Sequence, residues 1–252
     1  MSYNFVFNGK HSLNDMGIYA EMKSRPLFAE PKTIYEDIAG TDGELNFNSA
    51  NPKGRMCFKP RIIELECHFA DGGESRADYI NKASAIATWL ATEDDKVLTF
   101  DDEPNIQYMA HAANLFNIEN VTEFSGTFPL VFKCMPFRYS TEEITTPSAV
   151  LTDVYNGGYY TDAVFKITGT SSNGFTLYSD REPDKVLNVK AAMSGATVII
   201  DTTDMSVKMN GVSILHKCEG DFFELHPQHN IITISPDNGS LSFTVTYRER
   251  YL

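Results

Sequence analysis

Alternation of apolar and polar residues dominates this chain and predicts strands for most of its length. The stretch from Pro26 to Phe47 shows it best. Thr33, Ile34 and Tyr35 are β-branched or aromatic, the side chains that suit a pleated surface. Leu45 and Phe47 alternate with Glu44, Asn46 and Asn48, so one face reads as apolar and the other as wet. Between the two runs lies Ala39-Gly40-Thr41-Asp42-Gly43. Its Asp-Gly pair is a hairpin signal, because glycine accepts positive φ without a Cβ clash. Two strands joined at a tight corner are expected, as architecture rather than chemistry.

The same reading extends outward from this stretch. Tyr3, Phe5 and Phe7 share a face, Asn8-Gly9 turns the chain, and Leu13, Met16 and Ile18 follow. Asn51-Pro52-Lys53-Gly54 is a second turn cluster. From Cys57 to Phe69, Ile63, Leu65 and Cys67 alternate with Glu64, Glu66 and His68. One helix is expected from Ser75 to Thr92 after the break Asp71-Gly72-Gly73. Ser75 fits an N-cap with Asp78 three residues on. Tyr79, Ala83, Ile86 and Leu90 fall on one helical face beside Trp89. Strands then follow over Val97–Phe100, Ile106–Leu115 and Ile118–Phe132, and Met135-Pro136-Phe137 is expected to interrupt the last.

From Ser140 to Pro147 the chain turns polar, which suggests a boundary between residues 1–139 and 140–252. Beyond it the punctuation is Asn156-Gly157-Gly158, Asn173-Gly174, Asn210-Gly211 and Asn238-Gly239. Short β runs lie between these turns, at 163–168, 175–178, 186–189, 197–201, 207–209, 231–235 and 241–247. Many short strands without a convincing helix predict a β-sandwich. The fold class expected for the whole chain is mainly β.

Composition narrows the function. The 252 residues carry 34 acidic and 21 basic side chains, a net charge of −13. That argues against an electrostatic grip on nucleic acid, though an acidic lumen could let DNA slide without sticking. Cys57, Cys67, Cys134 and Cys218 are widely spaced, without a C-x-x-C, and read as free buried thiols. No basic, then apolar leader follows Met1, so a secretory signal is not expected. No apolar run approaches the ~20 residues of a membrane span.

No catalytic set emerges, and an enzyme is not expected. His226-Pro227-Gln228-His229 near Glu224 has two histidines, but Pro227 places them in a turn without convergent metal ligands. Asp101, Asp102 and Glu103 are adjacent carboxylates before Pro104, read as a solvated turn. His68 and His111 sit inside strand-like runs. Asn120-Val121-Thr122 matches a glycosylation acceptor but lacks a secretory context. Phosphate-cradling loops and nucleophile elbows are absent. No catalytic, cofactor-binding or metal residue is therefore assigned. Tyr155, Tyr159 and Tyr160 beside Asn156-Gly157-Gly158 could stack on a sugar ring, or simply pack at a hairpin.

The order of several motifs resembles the distal tail protein (Dit) family of siphophages that infect Gram-positive bacteria. Asn8-Gly9, Ser12 and Asp15-Met16-Gly17-Ile18 look like its opening, and Tyr35-Glu36-Asp37-Ile38 with Gly40-Thr41-Asp42-Gly43 looks like its hairpin. Gly220-Asp221-Phe222-Phe223-Glu224-Leu225, then Pro227 to Ile232, and finally Tyr247-Arg248-Glu249-Arg250-Tyr251-Leu252 are similar to its ending. Gln228 departs from it, standing where the family has glycine. The resemblance implies a tail-tube-like β-sandwich with one helix, then a galectin-like or carbohydrate-module-like β-sandwich. It implies a hexameric ring of the N-terminal domains, a hub joining the tail tube protein to the tail-associated fibre protein. Receptor-binding proteins are possible further partners. DNA would transit the lumen without specific binding, and no cofactor or membrane insertion is implied. The place implied is the virion tail tip, after assembly in the host bacterial cytoplasm, in a phage or prophage. The alternative is a carbohydrate-binding receptor-adhesion module of a phage tail.

Overall fold

The computed structural model describes residues 3–40, 42–48, 54–70, 76–114 and 127–252. The chain divides into two compact units, Met1–Arg138 with Leu252, and Tyr139–Tyr251. The first holds β1 (Phe5–Phe7), β2 (Lys10–His11), β3 (Ile18–Ser24), β4 (Tyr35–Asp37), β5 (Glu44–Asn46), β6 (Arg61–Phe69), α1 (Arg76–Leu90), β7 (Lys96–Phe100) and β8 (Glu103–Ala112). Strand β9 (Thr127–Ser140) runs to the boundary.

Seven of these strands form one sheet in the order β2-β1-β7-β8-β9-β6-β3. Strands β1 and β9 are three places apart, about 14 Å across a flat sheet. Yet the rings of Phe5 and Phe7 lie 5.4 and 5.0 Å from that of Phe132. The sheet therefore curls until its own halves face each other. At the far edge the Tyr3 N–H donates to the Ala20 carbonyl at 2.7 Å. The β1–β2 hairpin turns through Asn8 and Gly9, both at positive φ, as the Asn-Gly signal requires.

The expected helix packs on this curled sheet. Ala83, Ile86, Trp89 and Leu90 are buried, on the predicted face. Trp89 stacks on Phe5 at 5.8 Å and donates Nε1–H to the Phe7 carbonyl at 2.8 Å. The predicted cap at Ser75, the break at Asp71–Gly73, the turn residues Asn51–Lys53 and the Asn120 acceptor lie outside the described residues. One expectation is corrected: Pro136 does not end its strand, because β9 continues to Ser140. Its pairing with β6 ends at Arg61↔Cys134, so the missing proline N–H falls beyond that ladder.

The second unit holds β10 (Ile144–Thr145), β11 (Leu151–Asn156), β12 (Ala163–Ser171), β13 (Phe175–Ser179), β14 (Val186–Val189), β15 (Met193–Asp201), β16 (Ser206–Met209), β17 (Val212–Ser213), β18 (Cys218–Gly220), β19 (Gln228–Pro236) and β20 (Gly239–Tyr247). They form two sheets, β10-β20-β12-β15-β16-β17 and β11-β19-β13-β14-β18. Ile167, Val198 and Phe243 from one meet Val154, Leu177 and Ile232 from the other in a single core. This is the predicted sandwich. Among the described residues no helix is long and apolar enough to cross a membrane.

Candidate functional site

The stretch that reads most clearly as architecture folds unlike a core element. Strands β4 and β5 pair with each other, Tyr35 opposite Asn46 and Asp37 opposite Glu44, and with no other strand among the described residues. The loop from Ile38 to Gly43 joins them, longer than a two-residue corner. Pairing resumes nearer the base, with the Lys32 N–H on Cys57 O and the Lys59 N–H on Glu30 O, both at 2.8 Å. The result is a two-stranded ribbon. Neither face of it is covered: every position of both strands is exposed. Ile34, Tyr35, Ile38, Leu45 and Phe47 all present large apolar surface to solvent. At the base Leu27 and Phe28 are 63% and 70% exposed. The expected apolar face thus exists in the pattern, but none of its residues is buried among the described residues.

The ribbon is nonetheless held firmly at its root. Arg61, only 2% exposed, sits at the start of β6. Its Nη1 donates to the carbonyls of Pro26 and Leu27 at 2.8 and 2.9 Å, and its Nε to Pro136 O at 2.7 Å. Burial and the neighbouring Arg138 pull its pKa below the usual arginine value. Next to the root, Arg25 makes a forked pair with Asp102 and lies 5.0 Å over the Phe100 ring. The ribbon carries Glu36, Asp37, Asp42 and Glu44 and no cation between Thr33 and Asn48. It is an apolar, acidic-tipped arm on a rigid base.

Among the described residues the acidic turn and the histidines other than His68 do not converge on one centre. Asp101 meets His11 at 3.1 Å, Asp102 meets Arg25, and Glu103 meets Arg138 at 3.1 Å. Asp101 and Asp102 are exposed, as in the solvated turn expected, and each carboxylate of the turn also has a basic side-chain partner on a different segment. His111 pairs with Asp95 at 2.6 Å, His229 with Asp153 at 2.9 Å, and His226 lies 3.5 Å from Glu182. Burial pushes the Cys67 and Cys134 thiols up to about 12, which leaves them protonated and unreactive at neutral pH. All four cysteines are free, and Cys57 is exposed rather than buried. Tyr159 and Tyr160 pack edge to face at 5.0 Å, and Tyr160 against His226 at 4.7 Å, while Tyr155 keeps 55% of its surface open.

Two buried asparagines, Asn156 read from the sequence only as a turn residue and Asn230 not singled out, organise the turn around Pro227. Asn156 and Asn230 are both fully buried. Asn156 Nδ2 donates to Tyr159 O at 2.7 Å, and its Oδ1 accepts from Gly158 N–H at 3.1 Å. Asn230 spans the turn from Val154 to Gln228. The turn holds Gln228, itself exposed, at φ +70°. A left-handed conformation costs a residue with a Cβ about 1–2 kcal/mol. Gln228→Gly is therefore expected to raise the unfolding temperature of the second unit by a few degrees, read by calorimetry. An unchanged or lower value would show that the glutamine stabilises the turn by another route.

With the geometry in place, similarity to known proteins adds the family. A model described as siphovirus-type tail component, C-terminal domain, matches residues 156–251. A second, described as phage tail protein RIFT-related domain, matches residues 11–134. Among solved structures the chain is similar to the Dit (gp 19.1) protein of phage SPP1, described as a paradigm of hub adsorption apparatus in Gram-positive-infecting phages. The TM-score is 0.79 at 18% identity, over 99% of each chain. The phage P2 baseplate in its activated conformation with Ca contains a more distant likeness, with a TM-score of 0.50 at 8% identity. That one covers 99% of this chain and 98% of the other. No curated protein matches by sequence. The class these features define is a structural component of a siphophage tail. Within it, the chain belongs to the distal tail protein (Dit) family.

Proposed function

We propose that the chain is the hub of a siphophage baseplate, six copies closing into a ring through their N-terminal domain, residues 1–139. The ring joins the tail tube protein to the tail-associated fibre protein, with receptor-binding proteins as further partners. The uncovered apolar ribbon carries this reading. An isolated two-stranded hairpin is marginal in water, and an exposed apolar patch on a folded protein marks an interaction surface. A ring uses heterologous contacts, one patch of each subunit on a different patch of the next. A projecting arm on a fixed root supplies one such patch. The net charge of −13 and the carboxylates of the ribbon suit a lumen that repels phosphate and lets DNA pass. Glycan adhesion is the weaker alternative, since all three of its tyrosines spend ring contacts on neighbours.

The test is native mass spectrometry. The wild-type chain is expected as a hexamer, alone or with its tail-tube partner. The double variant Leu45→Asp, Phe47→Asp is expected to fall to the monomer with an unchanged unfolding temperature, because neither residue is buried in the single chain. A wild type that stays monomeric in both settings sinks the ring.

A further inference from the structure

We infer that Glu21, Glu66 and His68 form a divalent transition-metal site of the zinc class on the outer face of β3 and β6. The pairing register builds it. Glu21 lies directly opposite Glu66, and His68 opposite Tyr19 is the next pair on the same face. Like charges placed directly opposite in a sheet repel, so this pair needs a cation. One ligand atom from each of the three residues falls within 4.8 Å of the others. Two ligands bound about 2.1 Å from one metal stand up to about 4.2 Å apart. A small rotamer adjustment of the exposed Glu21 closes that difference.

The imidazole is already set for the role. His68 Nδ1 lies 3.0 Å from Thr127 Oγ1, which stands opposite it in the β6–β9 register. An oxygen partner on one ring nitrogen fixes the orientation of a metal-binding imidazole and directs the other nitrogen to the ion. That other nitrogen, Nε2, points toward Glu21 Oε1 at 3.8 Å. It is shielded from solvent and has no hydrogen-bond partner among the described residues. Lys23 now supplies the positive charge. Its Nζ pairs closely with Glu66 and stands 4.0 Å from Glu21. It is a half-exposed, flexible ammonium, one charge shared by two carboxylates, and a dication displaces it. One imidazole with two carboxylates selects zinc-like ions over magnesium or calcium, which prefer oxygen alone. Strand β3 is the edge of its sheet, so the ion clips that edge to β6.

Isothermal titration of zinc chloride into the full chain tests the site. One equivalent is expected to bind, and magnesium chloride is expected to give no heat. His68→Gln and Glu21→Gln are each expected to weaken zinc binding at least tenfold. Lys23→Met is expected to tighten it several-fold, since it removes the competing cation. His229→Gln, at the exposed pair with Asp153, is expected to change nothing. In parallel, nuclear magnetic resonance of the 15N-labelled histidines is expected to move the His68 Nε2 signal before any other. Wild-type affinity in His68→Gln, weaker binding in Lys23→Met, or no zinc heat at all overturns the site.

Discussion

Asn230→Ala is expected to lower the unfolding temperature of the second unit by roughly 10–15 °C, a loss of about 3 kcal/mol. The side chain is fully buried and is hydrogen-bonded through both its amide nitrogen and its amide oxygen. Its Nδ2 donates to His226 O at 2.8 Å, Gln228 O at 3.0 Å and Val154 O at 3.3 Å. Its Oδ1 accepts the His226 N–H at 2.8 Å. Alanine leaves these buried and part-buried main-chain groups without their side-chain partner, which costs more than the bonds themselves were worth. Asn230→Asp keeps the size but loses the donors, so it is also expected to destabilise at neutral pH. The measurement is calorimetric unfolding of the full chain. A shift under 2 °C for the alanine variant would mean that the turn relaxes to water at little cost.

The second large effect is expected at Arg61. Arg61→Ala removes three charge-assisted hydrogen bonds from a buried guanidinium, for an estimated loss of about 3–4 kcal/mol. Charge alone does not explain this effect. Arg61→Lys retains a cation but has no planar fork to reach Pro136 and the Pro26–Leu27 carbonyls together, so it is expected to restore less than half of the loss. Because those carbonyls form the base of the ribbon, a local readout accompanies the global one. Trypsin is expected to cut after Lys32 much faster in Arg61→Ala than in the wild type. Equal cutting rates with an equal unfolding temperature would remove Arg61 from the role of anchor.

These two residues differ in how visible they were. Asn230 stood within a motif whose resemblance to the distal tail proteins was legible in sequence, yet its hydrogen bonds were not. They depend on Val154 and His226, which only folding brings to it. Arg61 carried no signal at all. A charged residue at the start of a strand reads as solvent-facing, and its burial follows from where Pro26 and Pro136 happen to pass. Pro136 misled in the opposite direction, since a proline breaks a strand only where its N–H would have been used.

Local chemistry wrote much of the fold into the chain. Alternation at Ile63, Leu65 and Cys67, the helical spacing of Ala83, Ile86 and Leu90, and the Asn-Gly turns each need only neighbouring residues to act. Hence most of the longer strands, the helix, its buried face and the mainly β class were readable, whereas β10, β11, β17 and β18 were not. What the chain could not disclose alone was which apolar faces find a partner. Leu45 and Phe47 show the same period-two pattern as Phe165 and Ile167, yet the first pair lies open on a ribbon and the second fills a core. Periodicity reports the direction in which a side chain points, whereas burial depends on whatever long-range pairing places opposite it. For this protein that difference separates a packed core from an exposed apolar ribbon.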